Sequence, residues 1–551
     1  MIIRKKLPRS HKLHEPIRHE GSHPRPMTRR ELLASGFLGS QAVLLGGSSL
    51  LGLFGRVGSA RATLAPDMAA LQQACGISTS GANKIPFICF DLAGGANLNG
   101  SEVLIGGPGG QLDFLSTAGY NKLGLPGNML PNSPNPGSAT NDFISTALGL
   151  AWHSDGAILR GILSKASTTT QGNTNGVAIA AMSQNDTQNN PHNPMYGIFT
   201  AGADGALLPL IGTQPSTSGG NSMAPATMIN LSVLPTVIKQ ASDVTGLVNT
   251  GQLGTMFTNP ADAVAVLEST TRLSGGTTLS PTSGELGNAN VIITPGNAAT
   301  DAALKSQVLC GYTKSAALVD AFGVPSQLNP DLDPNIVGGA SSIFTAADYQ
   351  DSNVRMTAAV MKMVVSGYAG AGTISLGGFD YHDSTRATGE TRNFQAGMLI
   401  GACLEYAQRM GKPLMVYVFS DGSLSSTMAA DMSAAGRGKF GWQGDNSSVA
   451  ATFFLVVNPA GRPQILDGAG GLKAANHQQI GYYSSDGSVN SSSSPVANAV
   501  NQLAYSVVLN WMALHGQQGN FNTLFPNSGI SSSIIDQLTS FAPIAPNGTI
   551  S

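Results

Sequence analysis

Charge is scarce in this sequence. Only 11% of its 551 residues are Asp, Glu, Lys or Arg, and the formal net charge is -2. A nucleic-acid-binding surface needs clustered basic residues and a coiled coil needs far more Glu and Lys, so both are excluded. Disorder needs low hydrophobicity and high net charge, yet 42% of the residues are hydrophobic. Cysteines are few: Cys75, Cys89, Cys310 and Cys403, with no Cys-x-x-Cys spacing and no clustered histidine. Neither a zinc knuckle nor a disulfide framework is expected, and Cys89 and Cys403 read as buried thiols in a strand and a helix. A Gly-x-Ser-x-Gly elbow, a phosphate-binding Gly-Lys-Ser loop and a histidine pair at helical metal-binding spacing are all missing. Glycine is plentiful, at 68 residues beside 30 prolines, but without the three-residue period of collagen. The length admits two to four domains, or one large α/β domain with long insertions.

The basic residues that do occur crowd the head. Residues 1–60 hold 10 of the 29 Lys and Arg but only three acids, leaving 19 basic and 28 acidic residues beyond them, a formal net of -9. Arg29 and Arg30 immediately precede a stretch, Leu32 to Gly55, with no charged residue, and Gly58, Ser59 and Ala60 follow it. A basic segment, an apolar segment and a small-residue zone make an export signal, and the paired arginines match the twin-arginine type that carries folded proteins across a membrane. The expected partner of the precursor is that export machinery, with no nucleic-acid partner. The expected destination is the periplasm or the cell surface. The 24 uncharged residues also have the length of an uncleaved anchor, although Gly36, Gly39, Gly46, Gly47, Gly52 and Gly55 dilute their apolarity.

Beyond residue 60 the pattern predicts a single α/β domain over 61–551. Strands are expected at 84–91, 157–163, 176–182, 372–376, 413–420 and 452–457. Helices are expected at 231–239, 260–267, 301–310, 351–368, 392–410 and 496–514. Residues 106–136 and 183–220 read as irregular, 268–300 as a loop-rich insertion, and 484–494 as an exposed low-complexity segment. Strand, helix with Gly411 as its stop, then strand over 372–420 is a crossover unit, so the sheet is expected to be parallel there.

Three strands each deliver an aspartate at or just past the C-terminal end: FICFD at Asp91, ISLGGFDYH at Asp380, and VYVFSD at Asp421. In an open parallel sheet that edge is where ligands bind. Carboxylates gathered there repel unless a proton or cation lies between them, and His382 adds a nitrogen suited to zinc, manganese or iron. The expected metal set is therefore Asp91, Asp380, His382 and Asp421, with a divalent metal as the cofactor it would hold. Each aspartate has a structural alternative as a turn or helix cap. Among the other histidines beyond the head, His192 and His477 lie in loops that could serve a site. His153 and His515 read as a surface group and a helix cap.

These motifs resemble those of exported bacterial proteins catalogued as domain of unknown function 1501, a family placed near the alkaline phosphatase and sulfatase superfamily. The family's Arg-Gly-Gly-Ala-Asp-Gly-like turn falls on Leu92–Asn99, and its Leu-Gly-Gly-Phe-Asp-Thr-His motif falls on Leu376–His382, with Tyr381 in the Thr position. The resemblance implies an alkaline-phosphatase-like three-layer fold around a mostly parallel sheet. This sequence departs from the family in three places. Asn97 stands where the turn has Asp, Ser420-Asp421-Gly422-Ser423 replaces Ser-Glu-Phe-Gly-Arg, and Asp445-Asn446-Ser447 replaces Asp-His-Gly. No nucleophile is evident near the first strand beyond Ser101. Two functions stay open: a degenerate, non-catalytic binding or structural member, or a metal-dependent hydrolase of phosphate or sulfate esters.

Overall fold

A computed structural model describes residues 50–52, 64–75, 77–79, 82–133, 142–183, 190–247, 260–288, 298–322, 327–466 and 477–550. The basic head lies outside them. Of the uncharged stretch 32–55 only Leu50–Gly52 is described, as a short strand beside Ile77–Thr79. No helix among the described residues is long and apolar enough to cross a membrane.

The strands that position the site are β1 (Phe87–Leu92), β2 (Thr174–Ala180), β3 (Leu208–Gly212), β4 (Thr236–Val237), β5 (Ala369–Leu376), β6 (Leu414–Ser420), β7 (Leu424–Ala430), β8 (Phe440–Asp445), β9 (Ala451–Val457) and β10 (Gln479–Ile480). Eight of them form one sheet in the order β10-β2-β9-β6-β1-β5-β3-β4. Only β9 runs against its neighbours, so the sheet is mostly parallel. β7 and β8 make a separate antiparallel ribbon.

The helices that matter are α1 (Pro66–Ala74), α2 (Ala157–Lys165), α3 (Pro260–Gly275), α4 (Ala298–Phe322), α5 (Ser352–Val365), α6 (Ala387–Arg409) and α7 (Val500–Leu514). Side chains alternate across a strand, and β1 shows the consequence. Ile88, Phe90 and Leu92 join the core beneath α2, α5 and α6, while Phe87 and Cys89 join the core beneath α7. Every residue of β1, β5, β6 and β9 is buried, which explains their near-continuous apolar runs. A third, smaller core holds α1, α3 and α4 together through Met68, Val264, Leu267, Ala316 and Val319.

The central register sets the site. Leu92 pairs with Leu376 of β5 on one side and with Ser420 of β6 on the other, so the three strands end level. The strand–helix–strand unit over β5, α6 and β6 is present and parallel, with β1 inserted between its two strands.

Several local expectations fail. Residues 157–163 form α2, not a strand: Ile158, Leu159 and Ile162 are buried at helical spacing, and the Ile158 amide donates to Glu102 Oε2. A short apolar run carries too little periodicity to separate the two states. Residues 231–239 form a 3-10 turn and the edge strand β4 rather than a helix, since Asn230 caps only one turn before Pro235. The segment 183–220 contains a helix, Met195–Thr200, and β3. The helix expected at 260–267 runs on to Gly275, and 284–288 is helical too. Residues 289–297 lie outside the described residues. The segment 484–494 consists of turns and is not wholly exposed: the Ser116 amide donates to the Ser485 carbonyl, Val489 is buried within it and Tyr483 is buried just before it.

Two cysteines also differ from expectation. Cys75 and Cys310 form a disulfide with Cα atoms 5.6 Å apart, joining α4 to the end of α1. They are 235 residues apart in the chain, so no spacing motif announced the pair. Cys89 and Cys403 are buried free thiols, and burial pushes the Cys89 thiol up to about 12.

Candidate metal centre

The four expected ligands divide between two environments. Asp91 and Asp421 are fully buried, whereas Asp380 and His382 are exposed, with side chains 56% and 42% accessible.

Asp91 faces the α7 side of the sheet, in register with Ser375 and Phe419. Its Oδ2 accepts from the backbone amides of Asn221 (2.6 Å) and Ser222 (2.8 Å), and its Oδ1 from the Ser222 hydroxyl (3.3 Å). Burial raises its pKa to about 6, the amides oppose the shift, and the nearby Asp421 charge adds to it. The Asp421 carbonyl accepts from Asn190 Nδ2 (2.8 Å) and from the Ser183 hydroxyl. His192 stacks on Phe419, with ring centroids 5.3 Å apart, and burial lowers its pKa to about 3, so it is neutral. This pocket ties a loop to the sheet.

The exposed group is built differently. After Leu376 the chain turns through Gly377 and Gly378 and then extends. Phe379 and Tyr381 point inward while Asp380 and His382 point out, the two-residue alternation of extended backbone. Gly94, at φ 122°, lies against this turn, and a Cβ there would overlap the Asp380 amide. The turns after β1 and β5 are also stitched by hydrogen bonds from Ala93 N to Leu376 O (2.9 Å) and Phe379 N to Ala93 O (3.2 Å). Tyr381 is the anchor. Its hydroxyl accepts from Asn97 N (2.9 Å) and donates to Asn393 Oδ1 (3.0 Å). Asn393 Nδ2 in turn reaches Glu102 Oε1 (3.0 Å).

His382 Nε2 lies 2.6 Å from Asp380 Oδ1. The ribbon brings in a third group: Asp445, the last residue of β8, joins them so that one ligand atom from each lies within 4.8 Å of the others. Ser384 N donates to Trp442 O (2.8 Å) and Trp442 N to Thr385 O (3.0 Å), which holds β8 alongside the Asp380 turn. Two carboxylates and one imidazole form a hard-to-borderline donor set that fits zinc or manganese and leaves positions for water. Two ligands on a tetrahedral ion stand about 3.3 Å apart, so the Asp380–His382 contact needs only a small opening to admit one. Asp445 was missed as a ligand by sequence reasoning. Its signal was its place in the motif that aligns with Asp-His-Gly.

The remaining candidates are structural. Ser101 is fully buried and accepts from Arg386 Nη2 (2.7 Å). Arg386 also pairs with Glu390 (2.9 Å), Glu390 pairs with Lys439 (2.9 Å), and the Arg386 guanidinium stacks on Trp442, 4.6 Å from the ring centre. Glu102, beside this network, has its pKa raised to about 7 by burial and by the Glu390 charge. Asn446 Oδ1 accepts from the Ser448 amide (3.1 Å) and hydroxyl (2.6 Å), an Asx turn. His153 is buried against the Met129 carbonyl (2.8 Å), His477 against Thr539 O (2.6 Å), and His515 Nε2 accepts from Ile85 N (3.0 Å). Compared with protein-family models, with curated proteins and with solved structures, the chain matches none of them.

Proposed function

We propose that this is an exported protein that holds one divalent cation at Asp380, His382 and Asp445 and does not hydrolyse esters. The observation that carries the proposal is the convergence of those three exposed ligands on one point of the sheet edge. Export accords with the Cys75–Cys310 disulfide, since such bonds persist in oxidising compartments, and with Arg29 and Arg30 as the feature read by the twin-arginine machinery. Periplasm or cell surface is the destination this favours. The sheet, with helices on both faces and acids at its C-terminal edge, supports likeness to the alkaline phosphatase superfamily.

Three features argue against hydrolysis. The one hydroxyl the sequence offered as a nucleophile, Ser101, is buried and accepts from Arg386. A second ion would need further ligands, yet Asp91 is spent on backbone amides, and Asn97 and Asn446 carry no charge. A bound cation would supply Lewis acidity and polarise a water, but among the described residues the cluster holds no carboxylate or imidazole beyond the three ligands to act as a base.

The test is metal analysis of the purified mature protein alongside assays with nitrophenyl phosphate and nitrophenyl sulfate. About one zinc or manganese per chain, with no turnover, is expected. Turnover abolished by chelation would establish the hydrolase instead.

A further inference from the structure

The turn that carries Asp380 and His382 is tied to a buried carboxylate. Glu102 is fully buried, yet among the described residues it makes no ion pair. Its Oε1 accepts from Asn393 Nδ2 (3.0 Å) and its Oε2 from the Ile158 amide (2.8 Å) at the start of α2. Both oxygens face N–H donors, an arrangement that suits the ionised, acceptor-only form.

The charged groups around Glu102 are committed elsewhere. On α6, Glu390 is buried, but Lys439, Arg386 and Arg160 pair with it and hold its pKa below the ordinary value. Before α2, Asp155 is held at about 2 against its burial by Arg437 and Lys439, and burial keeps His153 neutral, with a pKa of about 3. Burial pushes the Tyr381 phenol up. Glu102 is the member of this cluster that changes charge near neutral pH, because burial first and the Glu390 charge second raise its pKa to about 7.

From Glu102 a directed relay runs to the turn. Asn97 N donates to the Tyr381 hydroxyl (2.9 Å), which donates to Asn393 Oδ1 (3.0 Å), and Asn393 Nδ2 donates to Glu102. The same Nδ2 lies 3.3 Å from the Asn97 carbonyl. With Glu102 ionised, this one orientation of the Asn393 amide satisfies every partner.

We propose that Glu102 is a proton-sensitive latch on the proposed metal centre: its protonation reverses the Asn393 amide and releases the Tyr381 hydroxyl, loosening the turn that sets Asp380 against His382. A protonated Oε1 is a donor, so Asn393 must turn Oδ1 toward it. The turned amide presents Nδ2 to the Tyr381 hydroxyl and Oδ1 to the Asn97 carbonyl. The hydroxyl proton then has no acceptor, a costly state for a buried group. Tyr381 stands between the two ligands in the chain, so its release reaches both. Control of cation affinity rests on the metal reading above; the relay itself does not.

The experiment compares wild type and Glu102→Gln, as full mature chains, at pH 6 and pH 8. The glutamine amide puts a donor where protonation would. In chelator-containing buffer, hydrogen exchange read by mass spectrometry follows the Asn97 amide. Its protection in wild type, corrected for the intrinsic pH dependence of exchange, should be at least threefold greater at pH 8 than at pH 6, and low at both in Glu102→Gln. Wild-type protection that does not change with pH would overturn the latch, whether or not the variant folds. Zinc titration gives the second reading. At pH 8 wild type should bind at least fivefold more tightly than Glu102→Gln, and at pH 6 within about twofold of it, since proton competition for His382 is common to both. A loss of equal size at both pH values would make Glu102 a support of the fold alone and overturn the proposal, as would equal affinity at pH 8. Wild type that binds no zinc at pH 8, with the exchange result as expected, would overturn the metal reading and the control of affinity while the relay stood.

Discussion

At the scale of single residues, the same side chain has two fates decided by where its strand ends. Asp91 lies one residue inside the end of β1 and is enclosed. Asp380 lies four residues past β5 and is free to meet other groups. The enclosed carboxylate has a thermodynamic signature. Its folded pKa of about 6 exceeds the ordinary 3.8, so the folded state holds the proton longer than the unfolded chain does. Its contribution is then most favourable below about pH 3.8 and is lost as pH rises to about 6. Asp91→Asn removes that titration. The stability of the variant relative to wild type, measured by urea denaturation, should rise by about 2 kcal/mol between pH 4 and pH 7. A difference that stays constant with pH would show that Asp91 is ionised throughout.

At the scale of elements, what the sequence made legible was what long periodic segments encode. The buried strands expected at 84–91, 372–376 and 413–420 are present because short, largely apolar runs ending in Gly or Asp admit little else. The long helices at 352–365 and 387–409 are present because their spacing is sustained. The three aspartates were correctly placed near one sheet edge, but which face each side chain takes depends on register, and register is a property of pairing between distant segments. Asp445 was overlooked as a ligand, although the alignment with Asp-His-Gly marked its position, because the β7–β8 ribbon is half-exposed and weakly patterned and nothing local brings it to the Asp380 turn. Helix α2 was misread because its main constraint is remote. Gly161 lies against the Phe394 carbonyl, and Gly397 of α6 against the Ile158 carbonyl, so the two backbones nearly touch. Gly397→Val should force them apart at a cost of about 3 kcal/mol, read from the midpoint of chemical denaturation. A change under about 0.5 kcal/mol would mean that the close packing of α2 on α6 is not needed.

At the scale of the whole molecule, the small helical core and the large sheet are stabilised by different means. The sheet buries whole strands, while α1, α3 and α4 share few buried residues and lean on the Cys75–Cys310 bond and on the Arg272–Asp67 ion pair (2.8 Å), which is exposed and weak. Closing so long a loop is worth about 5.5 kcal/mol in the chain-entropy account. Reduction should therefore speed proteolysis within 260–322 and leave 369–457 resistant, as mapped by mass spectrometry of the fragments. An unchanged cleavage pattern would show that the helical core stands without its cross-link.

The central claim concerns which carboxylates share a cation. Isothermal titration of the metal-free protein with zinc decides it, comparing wild type, Asp445→Asn and Asp421→Asn, each checked for an unchanged circular-dichroism spectrum. The account predicts one site per chain, at least tenfold weaker binding in Asp445→Asn, and wild-type affinity in Asp421→Asn. Loss of binding in Asp421→Asn with Asp445→Asn unaffected would contradict it, and would return the centre to the aspartates that the sequence pattern alone had grouped.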